Sequence, residues 1–323
     1  MKAPSKTRDH SATGDVRLRR LARYEILGEL GRGAMGIVYR ARDPIIDRVV
    51  AIKTIDPHLT GDALASFRER FFREARSAGK LSHPGIVTIY DAGEAGDVAY
   101  IAMELLEGPS LREVVGPQPL PVERAMDVAM QIAYALAYAH EEGIVHRDVK
   151  PANVMLVGKR RVKLMDFGIA SLGSMPAAQE GEVAGSPKYM SPEQARGEEL
   201  DGRSDIFSLG VLCYEMLTGV QPYSGTTVQA IVDEVLTKKP PPPSSHNPAV
   251  PADIDALVAR MLAKHPDDRV SSARRLYREL RKWLKSRGAD VEDRDKYAER
   301  ASVRKASTLH GEVTLVLGAR SAA

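Results

Sequence analysis

Between Tyr24 and about Glu104, apolar residues come in short runs interleaved with polar ones: RYEILGEL, GIVYRARD, RVVAIKTI, IVTIYDAGE and VAYIAMEL. Such runs predict strands, because a period of two sends alternate side chains to opposite faces. One stretch breaks the pattern. In ASFRERFFREARSAGKL, Phe67, Phe71, Glu74 and Ala78 recur at helical spacing, which predicts a single helix among the strands. From Pro109 onward the period changes to that of helices: RAMDVAMQIAYALAYAHEEG is apolar over a broad face, and SDIFSLGVLCYEMLTG, ADIDALVARMLAKH and SSARRLYRELRKWLK follow. The change falls at LLEGPS, where Gly108 and Pro109 interrupt both periods. It predicts an α+β chain of two lobes, residues 24–104 and 109–285, with a hinge at 104–108 and a cleft between the lobes.

The remainder carries little pattern. Residues 1–23 are polar and basic (Arg17, Arg19, Arg20, Arg23) and predict a disordered end. Residues 286–323 predict a charged tail, in which the run EVTLVL has no explanation. The proline run Pro240–Pro243 reads as a stiff loop between helices. At 323 residues the chain can bury a substantial core, and no repeat at solenoid period is visible. A net charge of +3, with much of the basic character at the N-terminus, gives no composition-level support for nucleic-acid binding. The single cysteine, Cys213, excludes an internal disulfide framework and a cysteine-rich zinc site. With no apolar run near the roughly 20 residues of a membrane span and no signal-like start, the expectation is a cytoplasmic protein.

Four constellations carry chemistry. GRGAMGIV places Gly31, Gly33 and Gly36 between two strand-like runs, which fits a hairpin lid over phosphates as well as an ordinary glycine-rich turn. VVAIK ends a buried-looking run on Lys53, and Glu74 lies on the apolar stripe of the lone helix. The two either pair with each other, holding an ammonium ready for phosphates, or Glu74 pairs with Arg70 or Arg73 at the surface. HRDVKPANVML holds the residue types that phosphoryl transfer to a hydroxyl requires: a carboxylate for the proton (Asp148), a cation (Lys150) and an amide oxygen for Mg²⁺ (Asn153). His146 reads as a packed structural residue. After RVKLM comes Asp166-Phe167-Gly168, a possible metal carboxylate followed by a packing ring and a flexible residue.

In this order and spacing the motifs resemble the eukaryotic-like protein kinases, over about residues 24–285. The resemblance implies the two-lobed kinase fold, ATP and Mg²⁺ (with Mn²⁺ as a substitute), and the roles just given to Lys53, Glu74, Asp148, Lys150, Asn153 and Asp166. It maps Met103 to the gatekeeper, the backbone of Glu104 and Leu106 to the adenine contacts, and Val38, Ala51 and Met155 to the walls around the purine. Ser191-Pro192-Glu193 stands where the family has Ala-Pro-Glu, with Arg269 as the partner of Glu193 and Asp205 as the acid bracing the catalytic loop. Lys150 and Ser186 are like the serine/threonine branch, and HRDVKPANVML and KYMSPEQ are most like its bacterial members. The implied partners are proteins with serine or threonine acceptors, and homodimer formation stays open. The presence of Lys53, Asp148, Asn153 and Asp166 favours catalysis over a pseudokinase-like scaffold or sensor, and the SPE segment with Arg269 speaks against a small-molecule kinase.

One departure stands out. The segment from Asp166 to Glu193 contains no threonine, only Ser171, Ser174 and Ser186 before the SPE motif, and Ser186 takes the place of the family's structural threonine. Arg147, beside the base, is the expected sensor of a negative charge. That charge would come from phosphorylated Ser174 or permanently from Glu180 or Glu182.

Overall fold

The computed structural model describes residues 19–33, 36–55, 61–158, 160–167 and 187–291, apart from the side chains of 61–67, 70 and 74. The first lobe is a six-stranded antiparallel sheet of β1 (Arg20–Leu21), β2 (Tyr24–Gly33), β3 (Gly36–Asp43), β4 (Arg48–Thr54), β5 (Ile89–Ala95) and β6 (Val98–Glu104), in the order β1-β2-β3-β4-β6-β5. Period-two alternation decides its faces. Val50 and Ile52 of β4 and Tyr100 and Ala102 of β6 pack on one side with Leu21 and Tyr24. Ala51, Ala99, Ile101 and Met103 pack on the other, where helix α1 (Gly61–Ala78) lays down Phe71 and Ala75.

Residues 19–23 correct the expectation of a disordered end. Leu21 is buried beside Tyr24, Ile26 N donates to Arg19 O at 3.0 Å, and Arg23 pairs with Asp43 at 3.2 Å and Asp91 at 3.1 Å. One apolar residue and two waiting carboxylates are enough to add a short strand to an existing sheet edge. The run expected as a strand from Ile86 enters the sheet only at Ile89. Its first residues instead tie the lobes together: Val87 N donates to Leu164 O at 2.9 Å, and Leu164 N to Gly85 O at 2.8 Å.

The second lobe comprises α2 (Leu111–Val114), α3 (Val122–Glu141), the hairpin β7 (Val154–Val157) and β8 (Arg161–Leu164), then α4 (Pro192–Arg196), α5 (Gly202–Thr218), α6 (Val228–Thr237), α7 (Ala252–Met261) and α8 (Ala273–Ser286). Helices α3 and α5 are apolar nearly all round and are correspondingly buried nearly all round, forming the lobe's centre with α7 and α8. Helix α6, which the periodicity does not announce, is capped by Thr227, whose Oγ1 accepts from Ala230 N at 3.1 Å. Ala289 and Val291, beyond α8, pack against this core.

The lobes join at a glycine that nothing else can replace. Gly108 has φ +144°, and a Cβ there would lie 2.0 Å from Leu156 O, while Leu156 N donates to Pro109 O at 2.9 Å. Gly108→Ala is therefore expected to cost at least about 1–3 kcal/mol in urea unfolding, from backbone strain before the clash is counted. Gly143→Ala, at φ +75° in open space, provides the comparison and should cost less.

Candidate active site

The stretch HRDVKPAN is held from below by α5. Asp205, fully buried in its first turn, accepts from His146 N at 2.8 Å and Arg147 N at 2.7 Å, and its Oδ2 lies 2.7 Å from His140 Nε2. Burial opposes its charge, but the bond to His140 and the backbone N–H groups outweigh burial and hold the carboxyl below the usual aspartate range. Two backbone N–H groups locked to one carboxylate keep Arg147 at φ +68°, a conformation a non-glycine residue seldom adopts. Gln194 Nε2 adds a bond to Arg147 O at 2.8 Å from α4.

His146 is buried. Its Nδ1 accepts from Asp148 N at 3.2 Å, its Nε2 lies 3.0 Å from Met165 O, and its ring is 4.5 Å from that of buried Phe167. With Nδ1 accepting, the proton sits on Nε2, and the ring is a strut between the two loops. Asp148 remains partly exposed. Its Oδ2 accepts from Lys150 Nζ at 2.7 Å and Asn153 Nδ2 at 2.9 Å, and the same Nδ2 also donates to Asp148 O at 2.9 Å. Among the described residues no hydrogen bond uses Asp148 Oδ1 or the amide oxygen of Asn153.

Met165 N donates to Asn153 O at 2.9 Å, which sets Asp166 beside Asn153. Asp166 has φ +50°, and its Oδ1 meets Lys53 Nζ at 2.8 Å, joining the lobes across the cleft. Burial works against this carboxylate's charge, and the Lys53 ammonium more than compensates, so its pKa is lowered. Lys53 lies on β4 opposite Val38 and Ile101. The Glu74 side chain, and Gly168, Ser174 and Ser186, lie outside the described part of the structure, as do Ser171, Glu180 and Glu182.

The glycines form the tip of the β2–β3 hairpin, with Gly31 opposite Val38 and Gly33 opposite Gly36, whose φ is +135°. Among the described residues the glycines thus belong to a β-hairpin and do not open a helix. Val38, Ala51, Met103 and Leu106 share one apolar cluster, joined by Leu105 and Met165, which the sequence pattern does not single out. Met155 lies on β7, where its backbone bridges Ser110. Glu104 N is already bonded to Thr88 O at 2.8 Å, so only its carbonyl could serve a purine, whereas Leu106 N has no protein acceptor among the described residues. The Glu104 carboxylate is held by Lys163 at 2.5 Å, which ties the hinge to β8.

Lower in the second lobe Glu193 and Arg269 form a buried two-pronged pair at 2.6 and 2.8 Å. Arg269 also donates to the carbonyls of Ala263 at 2.8 Å, Arg203 at 2.9 Å and Lys264 at 3.0 Å, and Ser204 Oγ donates to Glu193 at 2.6 Å. Sequence reasoning overlooked His140, Lys163, Gln194 and Met165. Their only signals are position, such as a histidine at a helix end six residues before His146, or the residue just ahead of Asp166.

A sheet lobe with a glycine hairpin, a helical lobe carrying the HRDVKPAN loop, and a lysine–aspartate contact between them define a two-lobed fold of the protein kinase kind. Residues 24–280 match the protein kinase domain family, and the chain belongs to it. It is 42% identical over 265 residues to the serine/threonine-protein kinase PknB of Mycobacterium leprae, covering 80% of this chain and 42% of that protein. It is 45% identical over 260 residues to the probable serine/threonine-protein kinase SCO3848 of Streptomyces coelicolor, covering 78% and 38%. The crystal structure of the Mycobacterium tuberculosis PknI kinase domain superposes with a TM-score of 0.64 at 32% identity, over 81% of this chain and 96% of that one. The chain thus spans about two fifths of the length of the curated relatives it matches. No described helix is long and apolar enough to cross a membrane.

Proposed function

We propose that this chain is a serine/threonine protein kinase that transfers the γ-phosphoryl group of ATP to protein hydroxyls in a Mg²⁺-dependent reaction. The observation that carries the reading is the convergence of Lys53, Asp148, Lys150, Asn153 and Asp166 on one cleft, with Asp148 keeping one carboxylate oxygen clear of protein donors. The catalytic unit is taken as residues 24–285, extended by the β1 strand.

The residues suit a divalent cation. Asn153 spends its amide nitrogen on Asp148 and so turns its oxygen outward, and Asp166 gives only Oδ1 to Lys53, so two hard oxygen donors stand side by side. Bound there, the cation would supply charge neutralisation on the phosphates. The glycine hairpin covers the phosphates and Lys53 neutralises them, while the apolar cluster from Val38 to Leu106 takes the purine. Asp148 orients the acceptor hydroxyl and receives its proton, and Lys150, 2.7 Å away, balances charge as the phosphoryl group passes. Arg147, whose Nε is buried without a hydrogen-bond partner among the described residues, is suited to meet an anion from the following segment. Cys213, buried with its thiol pKa pushed up to about 12, is inert, and a chain with this lone cysteine suits the reducing cytoplasm.

The test is transfer of labelled phosphate from ATP with Mg²⁺ to a general acceptor protein and to the chain itself, beside Asp166→Ala. Label on serine or threonine that vanishes in the variant is the expected result. Nucleotide binding without transfer would favour the scaffold reading.

A further inference from the structure

On the first lobe a cavity of about 480 Å³ lies between α1 and β5, and none of the candidate active-site residues lines it. Its strand wall is made by four successive residues, Ile89 to Ala92. Successive strand side chains point to opposite faces, so a cavity reached by all four runs along the edge of the strand. That edge is open. β5 is the last strand of the sheet, and beyond its pairing with β6 no backbone group of residues 89–95 makes a hydrogen bond among the described residues. The opposite wall is one side of α1, where Phe72, Ala75 and Gly79 follow at helical spacing down to the helix end. A slot with backbone donors and acceptors on one side and apolar groups on the other fits an extended strand.

The chain carries a segment of that kind. In residues 312–317, EVTLVL, the residues Val313, Leu315 and Leu317 alternate with Glu312, Thr314 and Val316, a period of two with one wholly apolar face. These residues lie outside the described part of the structure. We propose that this run docks in cis as an added strand on the edge of β5, with Val313, Leu315 and Leu317 turned towards Phe72 and Ala75. Residues 292–311 link it to the end of the described chain, and fully extended they span about 70 Å, more than the diameter of about 50 Å expected of a compact chain of this size. The start of β5 is the end next to the second lobe, because Val87 N, just before it, donates to Leu164 O at 2.9 Å. A tail arriving from the second lobe therefore meets Ile89 first and runs parallel to β5. Parallel entry sets Glu312 beside Tyr90, which packs on the sheet face opposite α1. There the Arg48 guanidinium lies 3.2 Å from the centre of the Tyr90 ring, and its Nε is buried without a hydrogen-bond partner among the described residues. Glu312 supplies the carboxylate that this arginine lacks.

The experiment is amide hydrogen exchange on the full chain beside full-length Leu315→Pro, since proline cannot donate to a ladder. In the wild type, the amides of residues 89–95 that face away from β6 should exchange at least about tenfold more slowly than in the variant, with the rest of the sheet unchanged. Arg48→Glu should reduce that protection, and adding Glu312→Arg should restore it, which a general loosening of the sheet would not allow. Failure of the second substitution to restore it would overturn the parallel placement. Equal exchange of the β5 edge in wild type and Leu315→Pro would overturn the docking altogether, as would protection of residues 312–317 beside an edge that exchanges freely. Protection that rises with protein concentration, together with a dimeric mass in light scattering, would assign the edge to the run of a second copy and overturn docking in cis. None of these readouts uses phosphoryl transfer, so the kinase reading stands or falls separately.

Discussion

Asp148→Asn should lower turnover about 10²- to 10⁴-fold while leaving nucleotide affinity nearly unchanged. Asparagine matches aspartate in shape, and its amide oxygen can still accept from Asn153 Nδ2, so the loop that Asp205 braces keeps its form. What disappears is the carboxylate charge that attracts Lys150 and that, on the proposed reading, takes the hydroxyl proton. Steady-state transfer to a peptide gives the first quantity, and fluorescent-nucleotide titration gives the second. Unchanged turnover would mean that another group takes the proton. A parallel loss of nucleotide affinity would place Asp148 in nucleotide binding instead.

The second large effect concerns stability. Arg269→Met should destabilise the second lobe by about 3–5 kcal/mol, because Glu193 would be left buried and charged without its partner. Three backbone carbonyls would lose their donor as well. Denaturant unfolding measures the cost, and the double variant Glu193→Gln with Arg269→Met should cost clearly less than the sum of the singles. Burial tends to raise the Glu193 pKa, but the bonds from Arg269 and Ser204 prevail and hold it below the glutamate value of 4.5. Its contribution to stability is therefore complete above that value and is lost as pH falls through the lowered folded pKa. The wild-type acid-unfolding curve should steepen in that region, and Glu193→Gln should flatten it. A curve unaltered by the substitution would show that the pair carries no such linkage.

Long periodic segments were legible because burial repeats along them. The five main strands of the sheet, the helix bearing Phe71 and Ala75, and the helices built on α3, α5, α7 and α8 all show their period in the residues themselves. Short or weakly periodic pieces were not. β1 has Leu21 as its one buried side chain within a basic run and is otherwise held by Arg23's pairs to Asp43 and Asp91, and α6 depends on a threonine cap and three buried residues. Much of the candidate site was legible as motif order, but not as contact. No local pattern shows that Lys53 meets Asp166 across 113 positions, that Gln194 holds Arg147 O, or that Lys163 holds Glu104. The apolar slot illustrates the same limit, since Leu105 and Met165 join its cluster although no motif announces them.

The sequence by itself determined the two lobes, their join at Gly108, and the residue types available for phosphoryl transfer, because periodicity, glycine conformation and side-chain chemistry are local properties. Only the tertiary structure decided which carboxylate each cation meets and which oxygen of Asp148 is left clear. Those outcomes depend on distances between chain segments far apart in sequence, and packing of the two lobes sets those distances.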